Sequence, residues 1–140
     1  MPLELGSLKK AVAALNGVLA KSNDAELMRG LDEITRNAIK SGAIQHFEFT
    51  YELCWKFIKR WLDVNISPTA ADGVTRRELF RLAAESRLIV DVDAWMRHHD
   101  ARNLTSHTYD LAVAESVYVA AHDFARDAQR LLETLEARND

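Results

Sequence analysis

The sequence predicts an all-α fold: an up-and-down antiparallel bundle of about five helices, forming one domain over residues 1–140. Three observations predict it. The chain has only five glycines and two prolines in 140 residues, where average usage gives about 12 %. So few turn residues favour a few long helices over many short strands. Apolar residues recur at steps of three and four through most of the chain. Asp, Asn and Thr stand just before several of those stretches, where their side-chain oxygens can satisfy the free N–H groups of a helix start.

The first helix carries Leu8, Val12, Leu15 and Leu19 on one face. Asn23 followed by Glu26 fits a capping box and starts a second helix near Asp24. That helix is expected to run to about Val64, with Gly42 marking a kink or break, since glycine costs about 1 kcal/mol in a helix interior. Ile44, Phe47, Tyr51, Cys54, Trp55, Ile58, Trp61 and Leu62 form one apolar stripe. Phe49, Leu53 and Phe57 form a second. A helix apolar on two sides is covered on two sides, so a homodimer is expected. Asn65 to Val74, with Ser67-Pro68 and Asp72-Gly73, reads as a connection. Thr75 and Glu78 form a capping box that starts a third helix ending near Arg87. Leu88-Ile89-Val90 is a short apolar connector. Asp91 caps a fourth helix running through Trp95 toward Thr105. Asp110 caps the last, whose stripe is Val113, Val117, Ala121, Phe124, Ala128, Leu131 and Leu135.

Composition excludes several classes. The apolar fraction of 48 % and charged fraction of 28 % are those of a soluble globular domain. The net charge of −3 gives no bulk field for nucleic acid. No apolar run approaches the roughly 18 residues of a membrane span, and Met1-Pro2-Leu3-Glu4-Leu5-Gly6 lacks the layout of a signal peptide. The cytoplasm is the expected location. The single cysteine, Cys54, cannot form an internal disulfide and reads as a buried structural thiol.

The chemistry concentrates in Asp100 to Asp110, where nine of eleven residues carry a polar side-chain group. Asn103 and His107 are four apart, so they share a helix face. Arg102 sits about 100° round, and its long stem can swing its guanidinium toward them. A fixed cation, an amide and a group titrating near neutrality suit a phosphodiester: arginine binds phosphate oxygens bidentately and histidine moves a proton.

The run Arg102-Asn103-Leu104-Thr105-Ser106-His107-Thr108-Tyr109 resembles the signature of HEPN domains. More narrowly, its Arg-x-x-x-x-His-x-Tyr spacing resembles the HepT group, partners of minimal (MNT-type) nucleotidyltransferases. Phe47 to Lys56 resembles the central helix of the nucleotidyltransferase substrate-binding proteins, and Leu88 to Met96 is similar to a further block of the same family. The resemblance covers roughly residues 5 to 135. It implies a homodimer in which two Arg–His motifs line a shared cleft. It implies a separate nucleotidyltransferase chain as partner, whose nucleotide or substrate this chain binds or presents, in a toxin–antitoxin-like pair with Tyr109 as an adenylylation site. The alternative is a metal-independent endoribonuclease toxin acting on RNA, with His107 as acid and base, Arg102 steadying the phosphate and Asn103 orienting both. A third reading is a helical scaffold dimer with no chemistry.

Other residues take supporting places. Glu48 and Glu52 share a helix face; they either pair with Arg102 across the bundle or face solvent. His99 stands four before Asn103 and reaches the cleft rim, and Ser106 belongs to the same segment. His98-His99-Asp100 does not make a metal site, because adjacent helical side chains diverge by about 100°; no cofactor is expected. Trp55, Trp61 and Trp95 lie on apolar stripes and read as core. Arg76, Arg77, Arg81 and Arg87 form either a phosphate-binding extension or a solvated face paired with Glu78 and Glu85.

Overall fold

The computed structural model describes residues 2–139. The expected domain boundaries, Met1 and Asp140, lie outside the described residues. Among the described residues six α-helices follow one another: α1 (Gly6–Ser22), α2 (Ala25–Arg29), α3 (Glu33–Asn65), α4 (Arg76–Glu85), α5 (Val92–Asn103) and α6 (Leu111–Ala137), with a 3₁₀ turn at Leu104–His107 between α5 and α6. No strand occurs among the described residues. None of these helices is long and apolar enough to cross a membrane.

The count of about five becomes six because the expected second helix is two. The break falls at Gly30-Leu31-Asp32, not at Gly42. Asp24 rather than Asn23 caps α2, accepting from the Leu27 N–H at 3.0 Å. Asp32, in extended backbone, then caps α3 by accepting from the Thr35 N–H at 2.7 Å. Arg36 reaches back to donate to the carbonyls of Met28 and Leu31, which ties the two helices at the corner. Gly42 sits inside an unbroken helix. A Cβ there would meet only Val18 Cγ2, at an ordinary 3.8 Å.

The remaining caps fall where the sequence puts them. Thr75 accepts from Glu78 N at 3.2 Å, Asp91 from Ala94 N at 3.1 Å, and Asp110 from Ala112 N at 2.9 Å. At the end of α4 the chain reverses with Arg87 in the left-handed region, φ 62°. Leu88 N–H donates to Ala83 O and Arg87 N–H to Ala84 O, the paired bonds of a Schellman ending. This sends Leu88 and Ile89 into the core and leaves Val90 98 % exposed.

α3 is the central element; α1, α4, α5 and α6 all pack on it. The faces read from the sequence are the buried ones. Leu8, Val12, Leu15 and Leu19 of α1 meet Phe47, Tyr51, Cys54, Ile58 and Leu62 of α3 and Val117, Ala121, Phe124, Ala128, Leu131 and Leu135 of α6 in one core. Phe124 is its aromatic hub, with ring centroids 5.0 Å from Phe47, 5.2 Å from His98 and 5.9 Å from Trp95. The second stripe of α3 does not stay together: Phe57 is buried, Leu53 half-buried and Phe49 52 % exposed. Trp55 is also only half-buried, unlike Trp61 and Trp95. The two ends of the chain clasp: Leu3 N–H donates to Asn139 Oδ1 at 2.7 Å, and Asn139 Nδ2 donates to Leu3 O at 2.9 Å.

Candidate functional site

α5 leaves the bundle end beside the middle of α3. This brings the Asp100–Asp110 segment against Glu48 and Glu52, one turn apart on α3. Arg102 points into that pair. Its Nε stands 3.1 Å from Glu52 Oε1 and its Nη1 3.2 Å from Glu48 Oε2. Nη1 also donates to Thr105 Oγ1 at 3.2 Å. The Thr105 hydroxyl lies 2.7 Å from Glu48 Oε2 and 2.8 Å from Arg102 O. Glu52 uses its other oxygen to accept from Trp55 Nε1 at 3.0 Å. Arg102, Glu48 and Glu52 are each about two-thirds covered, which makes these charge-assisted bonds stronger than exposed ion pairs.

Of the two positions open to Glu48 and Glu52, the structure therefore has them at Arg102. It also corrects where that arginine goes. The guanidinium does not swing to the Asn103–His107 face; it turns inward to α3, because two carboxylates attract it there. One cation between two anions leaves the cluster with a net charge of about −1. Among the described residues, Arg102 Nη2 has no protein partner.

His107 is also displaced from its expected place. α5 ends at Asn103 and tightens to a 3₁₀ turn. In a 3₁₀ turn successive side chains step by about 120° rather than 100°, so residues four apart no longer stack. Asn103 instead shares its face with His99: Asn103 Nδ2 lies 3.4 Å from His99 Nε2. His99 Nδ1 in turn lies 2.8 Å from the Tyr51 hydroxyl. Burial pushes the Tyr51 phenol well above its ordinary value, so it stays protonated. Burial, helped by the nearby Arg76, holds His99 below the ordinary imidazole value. His107 is exposed, and its ring stands edge-on to Tyr109 with centroids 6.0 Å apart. Among the described residues no hydrogen bond joins the His107 ring to Arg102 or Asn103. Tyr109 is 83 % exposed, and Leu111, the next apolar residue along the chain, 81 %. Ser106 is exposed and makes no side-chain bond among the described residues.

The segment thus has two parts. One is a packed polar cluster of Arg102, Glu48, Glu52 and Thr105, with His99 and Asn103 beside it. The other is a projecting turn that offers His107 and Tyr109 to solvent. Sequence reading missed Thr105 and Tyr51 as members. Thr105 stands three after Arg102, the spacing that brought them together. Tyr51 was absorbed into the apolar stripe, and nothing in its spacing shows that its hydroxyl meets a histidine. Among the described residues no group of three or more acidic, histidine or cysteine side chains is arranged to hold a metal ion.

Comparison with known proteins adds three findings. Residues 3–137 match a family model described as nucleotidyltransferase substrate binding protein like. The probable ribonuclease HepT of Haemophilus influenzae is 36 % identical over 140 residues, covering 98 % of this chain and 94 % of that one. Solved structures also share the fold. A Haemophilus influenzae structure, described as the fold of a substrate binding domain of a nucleotidyltransferase, superposes with a TM-score of 0.91 at 34 % identity, over 95 % of this chain and 99 % of that chain. A Thermus thermophilus crystal structure matches with a TM-score of 0.72 at 26 % identity, over 91 % of this chain and 98 % of that one.

Proposed function

We propose, for a chain that belongs to the nucleotidyltransferase substrate binding protein-like family, that it is the partner subunit of a separate minimal nucleotidyltransferase and offers Tyr109 to it as nucleotidyl acceptor. The observation that carries this reading is the exposure of Tyr109 on a tight turn. A partner's active site can reach the phenol without unfolding anything. In the reaction the Tyr109 oxygen attacks the α-phosphorus of a nucleoside triphosphate. The bond to pyrophosphate breaks, and the phenolic proton passes to a base of the partner or to water. The product places an anionic group beside the His107 ring, where it covers the imidazole and repels other phosphates. The exposed Phe49 on α3 supports the expected homodimer, in which a second copy covers that face. Co-expression with a minimal nucleotidyltransferase from the same organism tests the partnership. A stable complex is expected; two chains that elute separately overturn it.

A second reading rests on His107 and on the likeness to a probable ribonuclease. Here His107 takes the proton of an RNA 2′-hydroxyl, and that oxygen attacks the adjacent phosphorus. The 5′-oxygen leaves and takes a proton, while Arg102 steadies the phosphate and Asn103 orients His107 and Arg102. The geometry favours the first reading, because Arg102 already commits two of its nitrogens to carboxylates. Cleavage of mixed RNA in the presence of chelator, with His107→Ala as control, separates the two.

A further inference from the structure

Beside the Arg102 cluster, between α3, α4, α5 and the connector 66–75, lies a cavity of about 290 Å³. Trp55, Leu79, Val74 and Ala71 give it apolar walls, and Arg76, Lys59 and His99 give it polar ones. It shares a wall with the candidate site, since Trp55 donates to the carboxylate that holds Arg102.

Arg76 is the unexplained group. Its guanidinium lies over the Trp55 ring, 3.6 Å from the centroid. Its Nε is buried with no hydrogen-bond partner. Among the described residues it forms no salt bridge, and the neighbouring carboxylates are committed elsewhere. Glu52 serves Arg102 and Trp55, and Asp63 Oδ2 and Asp72 Oδ1 both serve Lys59, at 3.0 and 3.2 Å, while Asp63 Oδ1 is buried without a partner among the described residues. Lys56, whose Nζ stands 5.7 Å from the Trp55 ring centroid, is also without a carboxylate among the described residues. The Arg76 side chain is buried at Nε and partly exposed as a whole; a guanidinium with no carboxylate partner suits an anion. Apolar walls around a few polar groups are the usual make-up of a small-molecule site, and this volume lies just below the lower end of the usual range.

We infer that this cavity is a binding site for a phosphorylated small molecule of mononucleotide size, with the phosphate on the edge of Arg76 and the apolar body against Trp55, Val74 and Leu79. The fork of a guanidinium matches phosphate oxygens, and its stacking on Trp55 fixes the plane from which it donates. The site goes beyond the role given to Tyr109 and does not depend on it.

Titration calorimetry of the full chain with AMP tests the inference, with inorganic phosphate and adenosine as separate arms. AMP is expected to bind, phosphate more weakly, and adenosine not measurably. Arg76→Met is expected to weaken AMP binding by about tenfold or more, with Arg76→Lys in between. The Trp55 indole N–H resonance of the unmodified chain is expected to shift on adding AMP, a readout that survives if Arg76→Met fails to fold. Tyr109→Phe is expected to bind AMP as the unmodified chain does, so failure of the partner reading leaves this one standing. The inference is overturned by no AMP binding, by equal binding to folded Arg76→Met, or by adenosine or phosphate binding as tightly as AMP.

Discussion

Arg102 Nε and Glu52 Oε1 stand 3.1 Å apart although 50 residues separate them in the chain. That bond docks the polar end of α5 onto the middle of α3, and Glu48 and Thr105 complete it. Removing the arginine leaves two partly covered carboxylates facing each other. Arg102→Met is expected to destabilise the fold by about 1–3 kcal/mol, read as a lower urea midpoint. Adding Glu52→Gln removes the like-charge repulsion and is expected to recover part of that loss. A double variant less stable than Arg102→Met alone contradicts this account of the cluster.

Phe124 is expected to be the most costly single truncation. It is fully buried and touches the rings of Phe47, Tyr51, Trp95 and His98. Phe124→Ala removes that packing and leaves a cavity, at about 3–5 kcal/mol. Thermal unfolding measures it.

Arg87 offers a gain. It is exposed and holds φ at 62°, a conformation that costs a side-chain-bearing residue about 1–2 kcal/mol. Arg87→Gly keeps the Schellman bonds to Ala83 and Ala84 and relieves the strain. A stabilisation of about 1 kcal/mol is expected in chemical denaturation.

His98 makes stability depend on pH. Burial lowers its pKa from the ordinary 6.5, outweighing the opposing pull of Asp127, 2.6 Å away, and of Asp123; Arg97 adds to the lowering. The unfolded chain therefore takes up a proton first as pH falls. Stability is full above the ordinary imidazole value, declines below it, and levels once the folded ring protonates. His99 acts in the same direction. Asp127→Asn removes a group that favours the charged ring, so the decline is expected to reach lower pH. An NMR titration of the His98 ring checks the sign; a pKa raised by Asp127→Asn contradicts it.

Much of this architecture is legible in the sequence because periodicity and capping act locally. The stripes of α1 and α6 are the buried faces, and Thr75, Asp91 and Asp110 cap the helices they precede. Asn23 and Asp24 are equally good caps, so spacing does not fix the start of α2, and the break before α3 rests on the cap at Asp32, where an isolated Gly30 gives no change of apolar period. The helix-to-3₁₀ change at Leu104 only shifts each N–H acceptor from the fourth to the third residue back, yet it moves His107 off the face of Asn103. Nor does spacing alone choose between Arg102 reaching solvent and Arg102 reaching α3. That choice depends on carboxylates about 50 residues away. Arg76 reads as one of four surface arginines until the fold lays it on Trp55.

The acceptor role of Tyr109 is tested most sharply by the intact mass of the chain after co-expression with a minimal nucleotidyltransferase from the same organism, with peptide mapping of the 104–111 turn. A co-purifying pair is expected, with one nucleotidyl group on Tyr109 that is absent from Tyr109→Phe. A chain that elutes alone and unmodified contradicts the role.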